Sequence, residues 1–110
     1  MENNNKQDLF SLNGKVIVVT GGTGILGESF VNILAHHGAT VIILGRNKKV
    51  ADERVKTIIA TGGKAYAAIC DVLDAKSLEH AKAEIVNKYG AIHGLVNAAG
   101  GNMPGGVLDP

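Results

Sequence analysis

Val16-Ile17-Val18-Val19-Thr20-Gly21-Gly22-Thr23-Gly24-Ile25-Leu26-Gly27 is the stretch that decides the fold. It opens with an unbroken β-branched run flanked by glycines. Such a run suits a strand buried on both faces of a parallel sheet. The middle is a turn crowded with glycine. From Gly24 the apolar period changes: Leu26, Phe30, Ile33 and Leu34 fall at helical spacing, and Gly38 ends the helix.

The same unit recurs downstream. Residues 41–44 form a second buried strand, and Val50, Val55, Ile58 and Ile59 outline a second helix closed by Gly62-Gly63. Residues 65–70 form a third strand. Asp74 is placed to cap a third helix with Leu78, Ala81, Ile85 and Tyr89 on its apolar face, and Gly90 ends it. Residues 92–96 form a fourth strand, followed by a glycine-rich loop over 97–106. The repeat is topological, not one of sequence. Strict strand–helix alternation implies a parallel sheet with right-handed crossovers. Residues 1–13 are a polar lead-in whose Leu9, Phe10 and Leu12 can tuck against the sheet, and 14–110 form one half-domain. Four buried strands would leave one long apolar edge uncovered, so the chain is expected to be truncated.

Bulk composition narrows the function classes. The 110 residues suffice for one compact domain, and 45% are hydrophobic. A net charge of +1 gives no electrostatic case for nucleic acid or an anionic membrane surface. The one cysteine, Cys70, rules out an internal disulfide framework and fits a reducing compartment. No apolar run approaches the roughly 18 residues of a membrane span. Residues 1–8 are polar and rich in Asn, without the apolar centre of a secretory signal. The expected location is cytoplasmic. The 15 glycines are grouped, which marks turns at the ends of regular elements.

The turn at 20–27 has the context of a phosphate-binding loop, with a strand before it and a helix after it. A helix N-terminus offers unpaired N–H groups and a favourable dipole to pyrophosphate, and glycine lets the backbone approach closely. The bland alternative is a tight strand-to-helix turn with no ligand. About 20 residues further on, a carboxylate would hydrogen-bond the adenosine ribose of NAD. Leu44-Gly45-Arg46-Asn47 stands there instead. Nothing acidic repels a 2′-phosphate, and Arg46 can offer it a charged fork, which favours NADP(H) over NAD(H). Otherwise Arg46 is a solvated arginine at a helix start. Cys70-Asp71-Val72 closes the third strand, where Asp71 is either an acceptor for the adenine amino group or an ordinary loop Asp. Asn97-Ala98-Ala99-Gly100 closes the fourth, as a small-residue passage beside a ribose or as a plain turn.

Three motifs in register, TGGTGILG, Asp71-Val72 and Leu95-Val96-Asn97-Ala98-Ala99-Gly100, resemble the short-chain dehydrogenase/reductase family. The resemblance runs from Leu12 to Gly106. It implies a Rossmann-type three-layer α/β/α fold with a parallel sheet, first four strands in the order 3-2-1-4, truncated before the catalytic half. It implies that Gly21, Thr23, Gly24, Ile25, Leu26 and Gly27 hold the pyrophosphate. Arg46 and Asn47 would meet the adenosine ribose, Asp71 and Val72 would frame the adenine, and 97–100 would line the nicotinamide ribose. The spacing TGxxGxxG departs from the TGxxxGxG of most compact members and resembles the extended ones. GGTGILG, ILGRN and AAGGN together resemble a subgroup of D-mannonate oxidoreductases, also called fructuronate reductases. Enoyl- and dienoyl-CoA reductases carry similar loops.

A second departure concerns chemistry. The family works through a serine and a Tyr-x-x-x-Lys pair. Here Tyr66 is followed four residues on by Cys70, and Tyr89 by His93. Both tyrosines are expected to be structural, so the chain holds no catalytic residue and the family's would follow Pro110. His36, His37, His80 and His93 lack metal-ligand spacing, and no metal is expected. Cys70 is expected to be a buried thiol, and Lys48, Lys49, Arg54 and Lys56 a solvated helix face. The expected function is NAD(P)-dependent hydride transfer to or from a hydroxyl or carbonyl substrate, including a sugar acid. The chain alone would be inactive, and a full-length relative a homo-oligomer. The alternative is a non-catalytic dinucleotide-binding module or truncated remnant.

Overall fold

A computed structural model describes residues 11–21 and 25–98. Seven elements alternate along the described residues: β1 Val16–Thr20, α1 Ile25–His36, β2 Thr40–Gly45, α2 Lys48–Ala60, β3 Lys64–Ile69, α3 Ala75–Tyr89 and β4 Gly94–Asn97. The strands form one sheet in the order β3-β2-β1-β4, and every pairing is parallel.

The β-branched strands bury alternate residues on opposite faces. Val19, Val41 and Ile43 pack with Val31 of α1 and with Ala51 and Ile58 of α2. Val16, Val18, Ile42 and Leu44 pack with Ala81 and Ile85 of α3. Two helices therefore cover one face and one helix the other. That division follows from the strand order. The chain moves one way across the sheet through α1 and α2, then crosses back through α3, and right-handed crossovers place the two directions on opposite faces.

Local signals fix the element ends. Asn47 caps α2 by accepting from the Val50 N–H (3.1 Å), and Asp74 caps α3 by accepting from the Lys76 N–H (3.0 Å). Gly90 ends α3 at φ +90°, with its N–H on the Val86 carbonyl. The Leu12 N–H donates to the His37 carbonyl (2.7 Å), and the Leu12 side chain packs on the α1/α2 face. Leu9 and Phe10 lie outside the described residues.

Four expectations need correction. Ile33 is 56% exposed and Ile59 is 55% exposed. In each helix the inward stripe runs through other residues, Val31 and Leu34 in α1 and Ile58 in α2, and at about 100° per residue Ile33, one step from Leu34, and Ile59, one step from Ile58, turn outward. β3 ends at Ile69, one residue early, although the Cys70 N–H still reaches the Gly45 carbonyl (2.8 Å). β4 begins at Gly94, because His93 is engaged differently. Its backbone N–H donates to the Val16 carbonyl (2.8 Å), and its Nδ1 accepts from the Val16 N–H (2.9 Å).

Candidate functional site

Parallel pairing sets the four strand tips in a row. Thr20 stands opposite Leu44 on one side and Asn97 on the other, and Gly45 stands opposite Ile69. The segments that follow these tips therefore share one edge of the sheet. Chain order reverses there between β1 and β4, which splits the flanking connections and opens a crevice where open α/β sheets bind ligands.

At the centre, Gly21 follows β1 with φ +75°, a conformation that a side chain would strain. The chain re-enters at Ile25, where α1 begins, and Gly27 is buried in its first turn. Thr23 and Gly24 lie outside the described residues, and only the backbone of Ile25 and Leu26 is described. The start of α1, whose first N–H groups have no carbonyl partner within the helix, thus follows closely on the tip of β1.

The β2 tip is open. Arg46 is exposed and forms no ion pair among the described residues. Asn47 has its Oδ1 committed to the helix cap, which leaves only its amide N–H groups to offer a ligand. At the β3 tip, Asp71 is half-buried. Its Oδ1 accepts from the Leu73 N–H (3.0 Å), and its own N–H donates to Ser77 Oγ (3.0 Å). Val72 is partly exposed beside it, and Leu73 is almost fully exposed.

The β4 tip is closed by contrast. Thr20 Oγ1 donates to Asn97 Oδ1 (3.0 Å), and the Ala98 N–H donates to the Thr20 carbonyl (2.9 Å). Ala98 is buried, while Ala99 and Gly100 lie outside the described residues. The threonine–asparagine pin had no local signal in the sequence. Nor did a second contact at this end: Arg54 Nη1 of α2 lies 2.9 Å from Glu28 Oε2, in the first turn of α1. Arg54 is therefore not on the solvated face expected for it, because its side chain is only 22% exposed.

Neither tyrosine belongs to this edge. Tyr66 donates its hydroxyl to Glu84 and stacks edge-on against Tyr89, with the Lys88 ammonium over both rings. The hydrogen bond to Glu84 and partial burial raise the Tyr66 pKa above the ordinary phenol value, and burial alone raises that of Tyr89. Cys70 is a buried free thiol, pushed up chiefly by desolvation and lowered in part by Ser77. Among the described residues, no cluster of three or more His, Cys, Asp or Glu could hold a metal. No described helix is long and apolar enough to cross a membrane.

The family model for short chain dehydrogenases matches residues 15–109. The chain belongs to the short-chain dehydrogenase family. It is 46% identical over 99 residues to the uncharacterized oxidoreductase UxuB of Bacillus subtilis, covering 90% of this chain and 36% of that protein. A dehydrogenase/reductase from Sinorhizobium meliloti shares the fold with a TM-score of 0.82 at 34% identity, covering 86% of this chain and 38% of the other. A candidate D-mannonate oxidoreductase from Haemophilus influenza, solved with bound NAD, matches with a TM-score of 0.80 at 32% identity, covering 90% of this chain and 35% of the other. The chain spans little more than a third of the length of these relatives.

Proposed function

We propose that this short-chain dehydrogenase chain is the dinucleotide-binding half of an NAD(P)-dependent oxidoreductase acting on a hydroxyl or carbonyl substrate. The observation that carries the proposal is the gathering of four strand tips at the reversal of strand order, with a glycine at φ +75° and a helix start among them.

The residues present suit such a ligand. Gly21, Thr23, Gly24, Ile25, Leu26 and Gly27 would hold the pyrophosphate through backbone N–H groups. Arg46 and the Asn47 amide would meet the adenosine ribose. Asp71, with one carboxylate oxygen outside its turn, and Val72 would frame the adenine. Asn97, Ala98, Ala99 and Gly100 would line the nicotinamide ribose, and Asn97 is held to β1 by Thr20. A bound nicotinamide supplies hydride exchange. The chain's own part is to bind and orient, since its sequence contains no Tyr-x-x-x-Lys pair and its two tyrosines pack elsewhere. These residues alone are expected to bind without turnover.

NADP(H) is preferred over NAD(H), because Arg46 is exposed and no acid stands at the β2 tip. The substrate proposed for the whole protein is a sugar acid of the D-mannonate or D-fructuronate kind. Similarity to the candidate D-mannonate oxidoreductase supports this. The whole protein is proposed to be a cytoplasmic homo-oligomer. Arg46→Ala tests the cofactor assignment. It should weaken NADPH binding by about tenfold or more and leave NADH within about twofold. Tighter binding of NADH than NADPH by the unaltered chain would overturn the preference.

A further inference from the structure

We infer that Arg54 is a positioning residue that masks the charge of Glu28, and so sets how strongly the start of α1 receives phosphate. This rests on the dinucleotide assignment above and adds a determinant of affinity to it.

Glu28 lies one residue beyond Gly27, in the first turn of α1. The helix dipole favours a carboxylate there, but the same positive end is what would attract pyrophosphate. An unmasked carboxylate in that turn competes with the ligand and repels it. Coulomb repulsion between like charges grows as they approach and as less water lies between them to screen it. Arg54 removes that repulsion with a guanidinium nitrogen 2.9 Å from Glu28 Oε2.

The arrangement differs from the Lys48–Asp52 pair on the side of the cation. Glu28 is as exposed as Asp52, at 47%, but the Arg54 side chain is 22% exposed where that of Lys48 is 73% exposed, and Lys48 and Asp52 are neighbours on one helix. Arg54 instead crosses from α2 to α1. Its helical neighbours Ala51, Val55 and Ile58 pack into the core between those helices. That packing limits where the guanidinium can go, whereas Arg46 is exposed without an ion pair among the described residues. The two arginines thus divide the work: Arg46 is available to a ligand, and Arg54 offsets an acid of the protein itself.

Calorimetric titration of the 110-residue chain with ADP and with adenosine tests this. Arg54→Met should weaken ADP binding about tenfold by leaving Glu28 uncompensated. Glu28→Gln should tighten it severalfold, because Arg54 then adds positive potential. The double variant should return close to the unaltered chain, and Arg54→Lys should keep most of the affinity. Adenosine, which has no phosphate, should bind all variants alike, and added salt should shrink the differences for ADP. If both single changes weaken ADP by similar factors, or if adenosine weakens in step with ADP, the pair is a structural clamp and the inference is overturned. If the unaltered chain binds adenosine and ADP equally well, the phosphate assignment fails, and this inference fails with it.

Discussion

β2 and β4 lie on either side of β1, run in the same direction and end within one residue of the same rung, yet their surroundings are opposite. In β2, Val41, Ile42, Ile43 and Leu44 are all buried. In β4, Leu95 is 61% exposed, although it stands opposite Val18, which is buried under α3. Ala81 and Ile85 of α3 cover residues of β1, β2 and β3, and Leu95 of β4 lies outside that cluster. Burial of an apolar strand is thus set by the helices that cross it as much as by its own residues. The same contrast holds at the tips. The β2 tip offers an exposed arginine, while the β4 tip is pinned to Thr20.

The largest effect should come from deleting packing on the covered side. Ile43→Ala should cost about 2–5 kcal/mol in urea unfolding, while Leu95→Ala should cost under about 1 kcal/mol. Similar losses at both positions would erase the distinction between the strands.

Thiol reactivity offers a chemical version of the same comparison. Cys70 is buried, and desolvation raises its pKa, so little thiolate is present near neutral pH. In a Cys70→Ser background, Leu95→Cys should react with a disulfide reagent at least about tenfold faster than Cys70 does in the unaltered chain.

The pin at the β4 tip should matter less. Thr20→Val removes the hydroxyl that donates to Asn97 and should cost about 1 kcal/mol. Hydrogen exchange at the Ala98 amide should quicken, while exchange within β2 stays unchanged.

The smallest effect concerns alkaline pH. Tyr66 has a raised pKa in the folded chain, first because of its hydrogen bond to Glu84. Its contribution to stability is therefore fully present below the ordinary phenol range. It is lost as pH rises through the folded-state value. Tyr66→Phe should flatten the alkaline limb of a stability–pH curve measured by urea unfolding. An unchanged slope would contradict the assignment.

Much of the fold was legible in the sequence because it rests on local signals. Continuous β-branched runs marked β1 and β2, Asp74 and Gly90 bounded α3, and alternation of strands and helices fixed parallel pairing. The inward faces of α1 and α2 were less legible. Apolar residues sat next to one another there, and only packing decides which of two neighbours turns inward. Ile33 and Ile59 lost that choice to Leu34 and Ile58. The candidate site was legible as a row of strand tips, since strand ends can be read from the chain. Its fastenings were not. Thr20 and Asn97 are 77 residues apart, and Glu28 and Arg54 lie on different helices, so no spacing rule connects either pair. Asn47 shows a further limit: its position suited a ligand, but its side-chain oxygen is occupied by the helix cap.

Titration of the chain with NADPH and NADH, followed by nicotinamide fluorescence, tests the dinucleotide assignment most directly. Saturable binding of both, with NADPH the tighter, is the expected result. Absence of binding by either at millimolar concentration would contradict it.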